Sequence, residues 1–294
     1  MKNEKKLELK QNQEHGYYSI HPIPTEEEVT KFYEQEFYSS EYKRFNDSAL
    51  EVQLEDAEFF EGGWKDIVIR LEKNFGKKIN QLDVFDIGCG WGLALSYFKS
   101  LGSKCYGIDP APEAIDYMKS RGISAEVAGF SNLNVFNKTF DFIMLNNVLE
   151  HLREPEKTLE DIYKLLNKDG IVMIDVPNEF NAFQLAGRDL HGLNDWWVAP
   201  PGHLNYFSGD SLSSLLTSIG FKVEVMESSF PLEMFLLMGQ NYVQDGSIGK
   251  EIHNKRVQFE SNLRKLGYTD TLHNFYEALA KLNLGRQVKV YAKK

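Results

Sequence analysis

The stretch Asp86-Ile87-Gly88-Cys89-Gly90-Trp91-Gly92 follows an apolar run over residues 82–87 and precedes a helical pattern over 93–101. A strand ending in an acid, a glycine-rich turn and then a helix is the build of a nucleotide-cofactor cradle. Glycine permits the tight turn and lets a ligand approach the backbone closely, and the helix start presents unpaired N–H groups. Asp86, at the strand end, is placed to hold a cationic part of the ligand, directly or through water. Asp109 closes the next apolar run, about 20 residues beyond the glycines, where an acid accepts both ribose hydroxyls. The spacing separates ligand classes. A dinucleotide fingerprint, Gly-x-Gly-x-x-Gly, leaves room for pyrophosphate at the helix N-terminus, whereas here Gly92 arrives one residue early.

Outward from this loop the chain alternates strands at 104–108, 124–127, 140–145 and 171–176 with helices at 111–121 and 155–166. That rhythm predicts an α/β fold with a mostly parallel sheet. Pro155 sits in a first helical turn, where a missing N–H costs nothing, and Asp169-Gly170 turns the chain into the strand at 171. Residues 178–207, with Pro200-Pro201-Gly202 and two adjacent tryptophans, break the pattern and read as an ordered functional loop. Ser208 is placed to cap a helix over 210–219; strands follow at 221–226 and 287–292. Three parts are expected: a helical N-terminal cap over the cleft at 1–80, helical above all at 25–36 and 50–75, a cofactor domain at 81–228 plus 286–294, and a helical insertion at 229–285.

Of the 294 residues, 42% are hydrophobic and 26% charged, ordinary values for a soluble domain. A net charge of −10 opposes a nucleic-acid partner, since phosphate binding draws on clustered Lys and Arg. The one basic run, Lys2 to Lys10, is interrupted by Glu4 and Glu8. No apolar stretch reaches the roughly 20 residues needed for a membrane span, and the polar start does not read as a signal peptide. Cys89 and Cys105 have no neighbour at zinc-ligand spacing, which fits a reducing, cytoplasmic setting.

Residues 84–92, 106–109 and 140–176 resemble the class I S-adenosylmethionine (SAM)-dependent methyltransferases, in particular the group whose fourth-strand motif ends in Glu-His-Leu. The resemblance covers roughly residues 80–228 plus the final strand. It implies a Rossmann-like seven-stranded sheet, helices on both faces, with the last strand antiparallel and inserted beside the fifth. It implies SAM as cofactor, with the ammonium of its methionine part near Asp86 and its methionine chain along Gly88, Gly90 and Gly92. Asp109 would bind the ribose, Pro110 and Phe130 would flank adenine, and Asn146 would lie beside the methionine end. One departure stands out: members often place an acid after the third strand for the adenine amine, where this chain has Ala128-Gly129-Phe130-Ser131. Ser131 or a backbone carbonyl would supply that contact.

Methyl transfer is an in-line displacement that needs a positioned nucleophile and excluded water. A hydroxyl acceptor also benefits from a base, and histidine suits that role near neutral pH. His151, in Asn146-Asn147-Val148-Leu149-Glu150-His151-Leu152, and His203, in Pro200-Pro201-Gly202-His203-Leu204-Asn205-Tyr206-Phe207, both fall at the cofactor edge of the expected sheet. His203 is the preferred base. Each has a plain structural alternative, His151 as a turn residue and His203 as a loop residue before the next helix. Trp196 and Trp197 are candidates for an apolar acceptor wall, with Arg188, His191, Asp195, Asn205 and Tyr206 as polar contacts. Glu150 and His151 are adjacent and no octahedral carboxylate cluster is visible, so no metal is expected and chelation should leave activity unchanged.

The segment His21-Pro22-Ile23-Pro24-Thr25 through Phe32-Tyr33 and Phe37-Tyr38 is similar to the lead-in of sugar-modifying methyltransferases found with surface-polysaccharide genes. Some sugar C-methyltransferases carry a Cys-rich zinc module before it, and its absence here favours O-methylation of a sugar, nucleotide-linked sugar or glycan precursor. The Glu-His-Leu motif also resembles quinone O-methyltransferases, so a small aromatic acceptor is the alternative. A nucleotide-cofactor oxidoreductase is opposed by the glycine spacing and the missing Tyr-x-x-x-Lys pair. A SAM-binding protein without turnover is left open. The apolar run at 230–238 raises the prospect of a homodimer.

Overall fold

The computed structural model describes residues 7–25, 27–29 and 50–294. It opens with a hairpin of β1 (Glu8–Gln11) and β2 (Tyr18–His21), paired antiparallel with Leu9 opposite Ile20. Asn12 turns the hairpin, its Oδ1 accepting from the N–H groups of Glu14 and His15. This corrects the helical reading of residues 1–80 for its first part. The reason is tertiary: Ile20 is buried with Trp197, Leu204 and Tyr206 in an apolar cluster of its own, which an extended strand reaches. The expected helix over 25–36 and the aromatic residues at 32, 33, 37 and 38 fall largely outside the described residues.

Helices α1 (Leu50–Glu55) and α2 (Ala57–Phe75) follow, the latter closed by Gly76 in the left-handed conformation. Ile67 and Leu71 of α2 pack with Val84, Phe98 and Tyr291. The helix therefore covers a face of the sheet and is not a lid over the cleft.

The large sheet is built from β3 (Asp83–Ile87), β4 (Lys104–Asp109), β5 (Ser124–Val127), β6 (Phe140–Asn146), β7 (Leu166–Pro177), β9 (Lys222–Ser228) and β10 (Gln287–Lys293). The two-residue β8 (Asn205–Tyr206) belongs to the small sheet with β1 and β2. The large sheet runs β5-β4-β3-β6-β7-β10-β9, parallel except for β10, which is antiparallel to both neighbours. This is the expected Rossmann-like architecture. Its central strands are apolar on both sides, as strands covered on two faces must be: one face packs Phe85, Ile143 and Ile174, the other Val84, Phe142 and Met173.

Helices α3 (Leu93–Ser100), α4 (Pro112–Ser120), α5 (Pro155–Leu165) and α7 (Gly209–Ile219) alternate with the strands. Ser208 caps α7 through a reciprocal pair with Ser211, as the sequence suggested. Two details differ from expectation. Strand β7 begins at Leu166 and carries the Asp169-Gly170 turn inside it as an irregularity, its pairing with β6 jumping from Phe140–Leu166 to Phe142–Ile171. The supposed loop 178–207 contains the helix α6 (Ala182–His191), started by Asn181, whose side chain accepts from the N–H groups of Phe183 and Gln184. The cap was legible; the tryptophans and prolines downstream masked the helix.

The region 229–285 holds α8 (Glu233–Leu237), α9 (Gly246–Lys265) and α10 (Thr269–Lys281). It is tied to the N-terminal helix by charge: Arg264 of α9 reaches Asp66 of α2 at 2.6 Å and Glu260 at 3.2 Å. Arg70 of α2 joins Glu227 of β9 and Glu277 of α10 at 2.7 and 2.6 Å.

Candidate active site

The glycine loop lies between the ends of β3 and β4. Gly88 and Cys89 both donate their N–H to the carbonyl of Ile108, which pins the turn to the neighbouring strand. Gly88 has φ +75°, and a Cβ there would stand 2.4 Å from Val148 Cγ2. Only glycine lets the turn after β6 close against the loop. Gly90, at φ +49°, is the opposite case: a Cβ there would meet nothing within 4 Å. The backbone at Gly90 thus faces open space, where a ligand can approach it. Gly92 packs on Met118 at the start of α3.

Two acids flank this space. Asp109 accepts from the N–H of Gly90 through Oδ2 and of Ala111 through Oδ1, both at 2.9 Å. A carboxylate has about four acceptor positions, so two remain for ribose hydroxyls. Burial raises its pKa, while the two N–H groups oppose the rise. Asp86 is buried, and its Oδ1 has no hydrogen-bond partner among the described residues. Burial first, and the charge of Asp109 second, push its pKa up to about 8. Such a buried orphan acid calls for a donor or a cation, which the ammonium of SAM would supply. Phe130 is half-buried and stands 3.6 Å from the same imagined Cβ of Gly88. Pro110 and Asn146 are exposed at the ends of β4 and β6, and Ser131 is exposed beside Phe130. The chain's residues fit the cofactor.

The second half lies across the turn after β6. Asn147 adopts φ +53° and Leu149–His151 form one 3-10 turn, which presents Glu150 and His151. From the other direction, Leu204 donates its N–H to the carbonyl of Glu150 at 2.8 Å, and Asn205 Nδ2 donates to the carbonyl of Leu152. This splice brings the rings of His151 and His203 together, centroids 4.9 Å apart and nearly perpendicular. His151 Nδ1 is 2.6 Å from the carbonyl of Gly202, so that nitrogen carries the proton. Its Nε2 is 3.7 Å from Glu150 Oε1. Burial lowers the pKa of His151, against the pull of the Gly202 and Asn147 carbonyls. Burial, with His151 and Arg286 nearby, takes His203 down to about 3.

Glu150 is 1% exposed, and neither carboxyl oxygen has a hydrogen-bond partner among the described residues. Burial, with the charges of Asp175 and Glu179 adding, lifts its pKa to about 8. One ligand atom from each of Glu150, His151 and His203 lies within 4.8 Å of the others. The expectation of no metal considered adjacent Glu150 and His151 and octahedral carboxylate clusters; the fold brings His203 to the same pair.

The remaining acceptor candidates divide. Asn205 is buried, accepting from Ser19 Oγ while donating to Leu152, and Tyr206 is buried with its hydroxyl on the carbonyl of His203. Trp197 is buried against Phe180 and Trp196. Arg188 is occupied by Asp189 and Asp195, at 2.8 and 2.7 Å, and His191 bonds the carbonyl of Leu236. The side chains of Asn205 and Tyr206 thus tie the His203 segment to its surroundings, while Arg188 links its own helix to the loop at Asp195. Each of these partners is within the chain, where a contact with the acceptor was expected. Trp196 is half-buried, with an indole N–H that has no partner among the described residues.

Sequence reasoning missed Glu179, just after β7, and Arg286, just before β10. Arg286 Nη1 is 3.2 Å from Glu233 Oε1; burial opposes its charge, but Glu233 and Glu179 hold it protonated. Burial lifts Glu179 to about 7. Glu179 follows the carboxyl end of β7, and Arg286 precedes the antiparallel β10, whose start lies beside that same end.

Comparison with known proteins agrees with this geometry. The methyltransferase domain family model matches residues 54–225. The chain is 26% identical over 170 residues to the mitochondrial ubiquinone biosynthesis O-methyltransferase of Rattus norvegicus, covering 51% of this chain and 47% of that protein. It is 32% identical over 127 residues to a tRNA U34 carboxymethyltransferase of Campylobacter jejuni, covering 40% and 43%. The chain thus spans less than half the length of these relatives. The plantazolicin methyltransferase BamL, solved with a triazolic desmethylPZN analog and SAH, superposes with a TM-score of 0.55 at 16% identity, over 90% of this chain and 94% of that one, a likeness of fold. No helix among the described residues is long and apolar enough to cross a membrane. With a family match over more than half its length, glycine loop and Glu-His-Leu turn included, the chain belongs to the methyltransferase domain family and takes S-adenosylmethionine as its cofactor.

Proposed function

We propose that the protein O-methylates a hydroxyl of a sugar, nucleotide-linked sugar or related glycan precursor, with the acceptor activated at the His151–His203 pair. The observation that carries this reading is the meeting of the two imidazoles, 4.9 Å apart, on a turn whose Val148 abuts the glycine loop. SAM supplies an electrophilic methyl group on its sulfonium sulfur. The chain's part is to hold the hydroxyl in line with that carbon and to handle its proton. His203, whose Nδ1 has no partner among the described residues, is the group to accept the hydroxyl's hydrogen bond. The unpartnered carboxyl of Glu150 beside them suits a polyhydroxyl ligand, which donates many hydrogen bonds.

The ubiquinone relative favours a second reading, a phenolic or quinone-derived acceptor. The net charge of −10 argues against the tRNA acceptor of the other relative. The test is a panel of nucleotide sugars, glycosides and catechols offered with methyl-labelled SAM. Label in a sugar fraction supports the first reading. Label confined to catechols moves the assignment to the second, and label in none of the panel overturns both. His203→Ala should lower turnover at least tenfold with SAM binding intact.

A further inference from the structure

We propose that Glu150, His151 and His203 form a binding site for one divalent transition-type cation, such as Zn2+, Mn2+ or Co2+, beside the methyl-transfer position. The proposal rests on the reading of this cluster as the place of acceptor activation, and it replaces a free histidine base with a cation.

Four observations converge. The donor set is one carboxylate and two imidazoles, the combination that intermediate divalent ions favour while leaving positions open for a ligand. The three donor atoms already lie within 4.8 Å of one another. Donors around such an ion at about 2.1 Å stand roughly 3–3.5 Å apart, so a modest swing of the half-buried His203 ring closes the set. The environment of His151 is that of a ligand: its Nδ1 sits on the Gly202 carbonyl at 2.6 Å, and a backbone carbonyl on one ring nitrogen orients the other toward a metal. Finally, among the described residues neither oxygen of the buried Glu150 has a hydrogen-bond partner, nor has the buried Nδ1 of His203. A cation would satisfy such orphaned carboxylate and imidazole lone pairs.

The charge around the cluster points the same way. Asp175 and Glu179 add two further acids to the surroundings of Glu150. Lys289 offsets Asp175 at 3.3 Å, and Arg286 is engaged with Glu233. Among the described residues no lysine or arginine hydrogen-bonds Glu150, and His151 Nε2 is 3.7 Å from it.

A bound cation also solves the proton problem. Coordination would acidify the hydroxyl itself, so that no free base need store its proton. The acceptor hydroxyl would coordinate at an open position and release its proton to solvent. Its oxygen then bonds to the methyl carbon as the carbon–sulfur bond breaks, with the electron pair left on sulfur. The products are the methyl ether, the thioether form of the cofactor and one proton. An acceptor with two neighbouring hydroxyls would chelate best, and both sugars and catechols offer such pairs.

The test is direct binding to the full chain, stripped with EDTA and titrated with Co2+, followed by visible absorption and calorimetry, with SAM binding measured in parallel. The expected result is one Co2+ per chain with a visible d–d band, and at least tenfold weaker binding in Glu150→Gln and in His203→Asn. Thermal melts of the EDTA-treated variants check that each folds, and either folded variant suffices. No saturable Co2+, Zn2+ or Mn2+ site in the unaltered chain overturns the proposal, as does stoichiometric binding that survives both substitutions. SAM binding with no metal site would leave the methyltransferase reading standing while removing the cation. A metal site with no methyl transfer to any hydroxyl would do the reverse.

Discussion

The cofactor half and the acceptor half of the cleft lie side by side along one sheet edge, yet they are assembled differently. The cofactor half comes from two consecutive strand–turn–helix units, with Asp86, Gly88, Gly90 and Asp109 within 24 positions of each other. Its contacts are between backbone groups and one carboxylate. The acceptor half joins the turn at Glu150 and His151, the loop at His203 just before β8 and the residues around Arg286, which are far apart in the chain. A second, smaller sheet is needed to hold them together: β2 pairs with β8, Ile20 donates to the Leu204 carbonyl, and Leu204 donates to that of Glu150. A site made of local geometry is carried by backbone conformation. A site made of distant segments depends on the packing that joins them.

The sharpest way to break this contrast is at the glycines. Gly88→Val places two extra branches where even a Cβ would stand 2.4 Å from Val148, in a left-handed backbone. SAM affinity should fall by at least 100-fold, and the melting temperature should drop with it. Gly90→Ala fills space that is open in the protein alone, so the strain of φ +49° is the main cost to folding, about 1 kcal/mol. SAM affinity should fall by more than tenfold while the melt shifts only a few degrees. If both variants bind SAM normally, the cofactor does not lie on this loop.

The electrostatics of the cofactor half give a pH test. Asp86 has a folded pKa of about 8, above its unfolded value, so at neutral pH the cofactor-free protein holds it largely protonated. Pairing with an ammonium requires the ionised form. SAM affinity should therefore rise from pH 6 to pH 7.5, on the order of tenfold, with proton release visible as a buffer dependence of the calorimetric heat. Asp86→Asn should bind more weakly and lose this dependence. The same raised pKa means that Asp86 contributes less to stability as pH climbs through 4 to 8, because the folded chain holds the extra proton in that window.

In the acceptor half, Asn205→Ala removes the donor to the Leu152 carbonyl and the acceptor for Ser19. A buried carbonyl left unpaired costs about 1–3 kcal/mol. Turnover should fall severalfold through displacement of His203, while the SAM dissociation constant stays within twofold. Equal losses of SAM binding and turnover would mean the two halves are coupled.

The same contrast explains what could be read from the sequence. The strand–helix rhythm, the glycine loop, Asp86 and Asp109 were legible because each depends on neighbours a few residues away. The Ser208 cap was legible for the same reason. The hairpin at Glu8–His21 was not, since its strands are stabilised by Trp197, Leu204 and Tyr206, which no local pattern connects to Ile20. Nor was the role of Asn205, which looks like a ligand contact in a loop and is a buried clamp in the fold. His203 was found as a polar residue beyond a strand end. Its meeting with Glu150 required the β8 splice, and with it came the triad that spacing alone had hidden.

The separation of the two halves is tested most directly by titrating SAM into the unaltered chain, Gly90→Ala and His203→Ala under one set of conditions. The account predicts one SAM site per chain in the unaltered protein and in His203→Ala, with dissociation constants within twofold, and binding weakened more than tenfold in Gly90→Ala. Normal binding by Gly90→Ala, or its loss in a folded His203→Ala, would contradict it.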